Sequence, residues 1–179
     1  MLCGALFFET GRMTTVFFAQ LQLAHIGLGD RAIGLAAVLM TLAQLTSAQS
    51  ARLTQRVGER RFGLLLLFAS CLAFIALSLT ENALSSLLAV LTICVASALF
   101  APLCSARENR LIVTDDRATA LSVNALFTDG ILIALDLILG RAAEAHLPPA
   151  FALSAGLCLL ALALYNVSCR AAARVSQAS

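Results

Sequence analysis

"ENRLIVTDDRATALS" occupies residues 108–122, and where this segment sits decides the fold. Glu108, Arg110, Asp115, Asp116 and Arg117 place five charges in fifteen residues. The chain around them is 60% hydrophobic and only 12% charged, with a mean hydropathy of +0.93. Soluble domains average about 45–50% apolar and about 25% charged residues. Ten acids and twelve bases in 179 residues are too few to cover the surface of a water-soluble domain. The segment therefore reads as a water-exposed loop between two elements that avoid water.

Working outward from it, the chain divides into membrane-length stretches. A helix crossing roughly 30 Å of hydrocarbon needs about 20 mostly apolar residues, because lipid offers no partner to a bare backbone group. Six stretches qualify, at about 2–24, 32–51, 62–80, 82–106, 118–139 and 147–168. They predict an all-α polytopic domain of six transmembrane helices over residues 1–170, followed by a cytoplasmic tail at 171–179. "HIGLGDR", "RLTQRVGERR", "ENRLIVTDDR" and "GRAAEAHLPP" carry the Gly, Pro or charge that ends a helix, and "LTEN" is a short turn.

All twelve bases are arginine. Arg52, Arg56, Arg60, Arg61, Arg107, Arg110, Arg117, Arg170 and Arg174 follow even-numbered spans; only Arg31 and Arg141 lie on the opposite side, with Arg12 inside span one. Short arginine-rich loops stay in the cytoplasm. Both termini and residues 108–122 are accordingly expected inside a bacterial inner membrane, with the lipid bilayer as the principal partner. The arginines never alternate with aromatic residues, so no nucleic-acid partner is implied.

Cys3, Cys71, Cys94, Cys104, Cys158 and Cys169 fall in or beside apolar runs without CxxC spacing, and read as packing residues, not metal ligands or a disulfide framework. Ser154 in "LSAGL" lacks a G-x-S-x-G frame, and His25 and His146 fall in outer loops, so no catalytic set and no cofactor are expected.

The two inner loops carry a family resemblance. "NRLIVTDDRATALSVNALF", with Asn109, Asp115, Asp116, Arg117, Ala118, Thr119 and Ser122, resembles the segment between the tenth and eleventh helices of major facilitator superfamily transporters. "ARLTQRVGERR" at 51–61 resembles the family's G-x-L-A-D-R-x-G-R-R motif between its eighth and ninth helices, matching at Leu53, Arg56, Gly58 and Arg60. "GLGDRAIGL" at 27–35 is similar to the outer turn before the eighth helix. Ala51, Gln55 and Glu59 depart from the first motif, and Val113 stands where a proline is common in the second. The acid replaced by Gln55 makes the family's state-dependent helix contacts, so charge-based gating is not expected there.

The resemblance spans the chain as the C-terminal six-helix half of a twelve-helix transporter. It implies inverted three-helix repeats, alternating access, a small-molecule solute, a proton or other coupling ion, and as partner either a missing N-terminal half or a second copy. Span one starting at residue 2 fits a chain cut from a longer one. An accessory or truncated module without transport of its own is the alternative.

Ionisable groups inside a span cost about 2.5–3.5 kcal/mol each on insertion scales, so each needs a partner or a wet cavity. Glu9 and Arg12, three residues apart, share a helix face and can pair; Gln20, eleven residues beyond Glu9, should continue that face. By resemblance, span one lines the central cavity, with Glu9 and Arg12 on the solute or proton path. On span five Ser122, Asp129 and Asp136 recur every seven residues and form one polar stripe, with Asp129 and Asp136 as further pathway candidates. The structural alternatives are a static ion pair tying two helices and a stripe satisfied by neighbouring polar groups.

Overall fold

The computed structural model describes residues 2–111 and 117–178. Asp115 and Asp116 of the quoted loop lie outside the described residues, as do the side chains of Arg117 and Ala118. Among the described residues every regular element is helical. Helix α1 covers residues 2–25 with a π-helical turn at Thr14–Phe18, and α2 covers Asp30–Val57 with a 3-10 stretch at Leu45–Gln49. They are followed by α3 (Glu59–Leu79), α4 (Ala83–Leu111), α5 (Arg117–Ala145) and α6 (Leu147–Ala178).

These helices correspond to the six expected stretches, but the connections are shorter than the sequence suggests. Helix α2 continues past residue 51 through "RLTQRV", and only Gly58 separates it from α3. Only His146 separates α5 from α6, and α6 carries on through the expected tail to Ala178. Charge ends contact with hydrocarbon without ending a helix, since Arg and Glu are good helix formers. Pro148 and Pro149 fall in the first turn of α6, where a missing N–H removes no helical bond. Gly58 makes the tightest connection possible at φ +89°, a region other residues enter only with strain. A Cβ there would meet nothing within 4 Å, so substitution costs backbone energy alone. Gly58→Ala is expected to lower stability by about 1 kcal/mol, read from thermal unfolding in detergent.

The helices run alternately up and down. At one end, Gln22 of α1 donates to the Thr80 carbonyl after α3 (3.3 Å). At the other, Arg60 at the start of α3 donates to Asn166 Oδ1 on α6 (3.0 Å), and Arg107 of α4 donates to Cys169 Sγ on α6 (3.0 Å). The ends of α2, α4 and α6 and the start of α3, which carry most of the arginines, thus share one end of the bundle, with Arg31 and Arg141 at the other.

The helix pairs in contact follow a simple rule. They are α3 with α6; α3 with α4 and α6 with α1; α2 with α4 and α5 with α1; α2 with α3 and α5 with α6; α1 with α4; and, less extensively, α1 with α2. Exchanging the first three helices for the last three maps every pair but α1 with α2 onto a pair in this set. The most extensive contact, α3 on α6, is built on small residues: Gly63 sits under Tyr165, and the Cys158 and Cys71 thiols donate to the Leu67 and Ala155 carbonyls across the interface (3.4 and 3.8 Å). Phe100 of α4 meets Phe7 of α1 edge-on (5.2 Å, 84°) and Tyr165 of α6 (5.5 Å), closing the core between three helices.

The outside of the bundle is as apolar as the inside. On α3, Leu67, Cys71, Phe74 and Leu77 are buried, while Leu65, Phe68, Leu72, Ile75 and Leu79 form the exposed face at the same helical spacing. Water would penalise that second face; hydrocarbon does not. Four helices are long and apolar enough to cross a membrane: Asp30–Val57, Glu59–Leu79, Ala83–Arg107 and Leu147–Ala171. The shortest, 21 residues, spans about 31 Å at about 1.5 Å per residue. The other two helices carry the acids that lie away from helix ends: Glu9 on α1, and Asp129 and Asp136 on α5.

Candidate functional site

Glu9 and Arg12 pair as their spacing predicts. Arg12 Nε lies 3.0 and 3.1 Å from the two Glu9 carboxylate oxygens, and Nη2 also contacts Glu9 Oε1. The same Nη2 reaches across to Asp136 on α5, at 2.9 and 2.8 Å from its Oδ1 and Oδ2. One guanidinium therefore serves two carboxylates and joins α1 to α5. Its members differ in exposure: the Glu9 side chain is 1% exposed, that of Asp136 38% and that of Arg12 47%. Glu9 is sealed behind its arginine, which fronts an open space.

That space is a cleft of about 730 Å³, lined by parts of α1, α2, α4 and α5. Helices α3 and α6 pack behind and contribute no lining residue. Its polar groups include Glu9, Arg12 and Thr15 of α1, Gln44 of α2, Ser97 and Ser105 of α4, and Asp129 of α5. The wall from α4 is made of small side chains, Cys94, Ser97, Ala98, Ala101, Cys104 and Ser105, on one helical face. Gly11 permits a close approach of α1 to that wall, since a Cβ there would lie 2.9 Å from Ser97 Oγ. The Ser97 hydroxyl is buried and makes no hydrogen bond among the described residues.

Both helices that begin the chain lose α-helical geometry beside the cleft. The π turn of α1 starts two residues after Arg12, and the 3-10 stretch of α2 starts directly after Gln44. The π turn corrects one expectation. It takes up an extra residue and rotates everything beyond it by about 100°, so Gln20 is exposed and outside the cleft lining instead of continuing the face of Glu9. Gln22 turns inward in its place, to its bond with Thr80.

On α5 the seven-residue stripe divides. Asp136 joins Arg12, Asp129 lines the cleft, and Ser122 is exposed outside it. The described loop-motif residues lie at the arginine-rich end, away from the cleft lining. Leu53 is half-buried and Arg56 exposed in the last turns of α2, Gly58 forms the turn, and Arg60 bonds to Asn166. Asn109 and Thr119 are exposed at the end of α4 and the start of α5.

That end has a clamp of its own. Tyr165 is 1% exposed, donates its hydroxyl to the Glu59 carbonyl (3.1 Å), and lies under the Arg107 guanidinium, 5.2 Å from the ring centre. From sequence alone, Tyr165 near the end of span six would be placed at the membrane interface; instead it fills the space over Gly63 inside the bundle. No family model, curated protein or solved structure matches the chain.

Proposed function

We propose that this chain is a six-helix half of a secondary transporter of the major facilitator kind, moving a small solute across a bacterial inner membrane by alternating access with help from an ion gradient. The loop resemblance suggests the family. The observation that carries the function is the cleft, whose ion-paired floor is shared between α1 and α5. A chain of oily helices retains intramembrane charges where a wet path or a partner offsets them; Arg12 is the partner here, and the cleft would be the path.

Two features of the packing support the same conclusion. Apart from α1 on α2, the contact pattern survives exchange of the first three helices for the last three, as inverted repeats would produce. The cleft is lined by the first two helices of each triplet, while the third helices, α3 and α6, form the rigid back. In this proposal all six helices cross the bilayer, with the arginine-rich end cytoplasmic, and the open face of the cleft closes against another six-helix body.

Alternating access makes the cleft reachable from each side of the membrane in turn. The test needs no knowledge of the solute. In a variant with the half-buried Cys3, Cys104 and Cys169 replaced by alanine, Ala101→Cys provides an exposed label on the cleft wall. A membrane-impermeant maleimide is expected to react with it from both faces of oriented membrane vesicles, with the ratio shifting when a proton gradient is applied. Reaction from one face only, whatever the gradient, would rule out alternating access.

A further inference from the structure

We propose that the cleft binds an amphipathic organic cation, with Asp129 meeting its charge; movement of that cation rests on the transport proposal, but its binding does not. Charge comes first. Among the described residues, three carboxylates (Glu9, Asp129 and Asp136) stand in or beside the cleft, against a single cation, Arg12. Arg12 is already shared between Glu9 and Asp136, so no cation remains for the third. Asp129 has no hydrogen bond or ion pair among the described residues, is exposed, and lines the space. It lies two helical turns from Asp136, about 10 Å along α5, so a ligand at Asp129 can leave the Arg12 link intact.

A second observation comes from the opposite wall. The Ser97 hydroxyl on α4 is buried and lines the same cleft without a hydrogen-bond partner among the described residues. A buried polar group in that condition is unfavourable until something supplies the missing bond. An ammonium or amidinium N–H from a bound solute would do so.

The remaining lining defines the rest of the ligand. Phe8, Val16 and Leu132 give apolar walls, and about 730 Å³ is within the range that drug-sized molecules occupy. A bare metal ion fits poorly, because no group of three acids, cysteines or histidines converges among the described residues. An anion fits worse, since Arg12, the only guanidinium lining the cleft among the described residues, is committed twice over.

The full-length chain in lipid nanodiscs can be titrated with tetraphenylphosphonium and with tetraphenylborate, two ions of matching size and opposite charge that carry no N–H and so test the charge at Asp129 apart from the Ser97 bond. Saturable, equimolar binding is expected for the phosphonium and not for the borate. Asp129→Asn should weaken phosphonium binding about tenfold or more, whereas Asp129→Glu should retain it. Because Asp129 is exposed, both variants are expected to melt as the unaltered protein does, and the melts verify this. Equal binding of the two ions, or no effect of Asp129→Asn, would overturn the assignment. Nanodiscs expose both faces of the protein, so binding does not depend on alternating access. Binding together with one-sided labelling at Ala101→Cys would refute transport alone, and two-sided labelling without binding would refute the ligand alone.

Discussion

Arg12→Leu is expected to be among the most damaging single changes in the chain, and the reason lies in Glu9. The Glu9 carboxylate is 1% exposed and accepts its hydrogen bonds from Arg12. Removing the guanidinium leaves a buried charge with no partner, and removes at the same time the link from α1 to Asp136 on α5. Breaking a buried pair by deleting one member costs about 3–5 kcal/mol. Arg12 is half exposed, so part of its attraction is screened, and a loss of about 3 kcal/mol is the expected result.

The pattern of rescue separates this cause from lost packing. Arg12→Leu combined with Glu9→Gln should recover much of the loss, because the stranded charge has gone. Asp136→Asn should cost far less than Arg12→Leu, since Asp136 is itself partly exposed. Unfolding in mixed micelles of mild detergent and dodecyl sulfate measures all four proteins on one scale. If the double variant is as unstable as Arg12→Leu, the aliphatic stem of Arg12 matters more than its charge.

The same residues show where sequence reasoning works and where it stops. Pairing of Glu9 with Arg12 follows from a three-residue separation on a helix, and the common flank of Asp129 and Asp136 follows from seven. Local periodicity carries both. It fails at Gln20, because a single π turn between it and Arg12 changes the register, and no residue type in "TTVFF" announces such a turn. The partnership of Arg12 with Asp136, 124 residues apart, belongs to tertiary packing and has no local signal.

The cleft wall is a different case. Cys94, Ser97, Ala98, Ala101, Cys104 and Ser105 recur at helical spacing in an otherwise bulky apolar stretch, and that face could have been read as a close contact or a cavity wall. Helix ends were the least legible feature. Arginine and glutamate mark the edge of hydrocarbon, but they also sustain a helix in water, so "RLTQRV" reads as a loop by charge and folds as the last turns of α2.

Gly63→Val is expected to destabilise the chain by about 3 kcal/mol, through overpacking of the α3–α6 contact. A Cβ at Gly63 would overlap the Tyr165 hydroxyl and ring, with Cε1 only 2.6 Å away. Tyr165 has nowhere to retreat. Its hydroxyl is held by the Glu59 carbonyl, Arg107 covers its face, and Phe100 stands against it at 5.5 Å. Relief must come from α3 and α6 moving apart, which would also pull on the Cys158–Leu67 contact further along the same interface. In a Tyr165→Ala background the sign should reverse, because valine then fills the volume the ring has left and restores contacts that the cavity removed. The cleft is on the other side of the bundle, lined by neither helix, so tetraphenylphosphonium affinity should be unchanged in the folded fraction of Gly63→Val. Equal destabilisation by Gly63→Val in both backgrounds would show that the ring is not what confines residue 63, and that the tight approach of α3 to α6 has another cause.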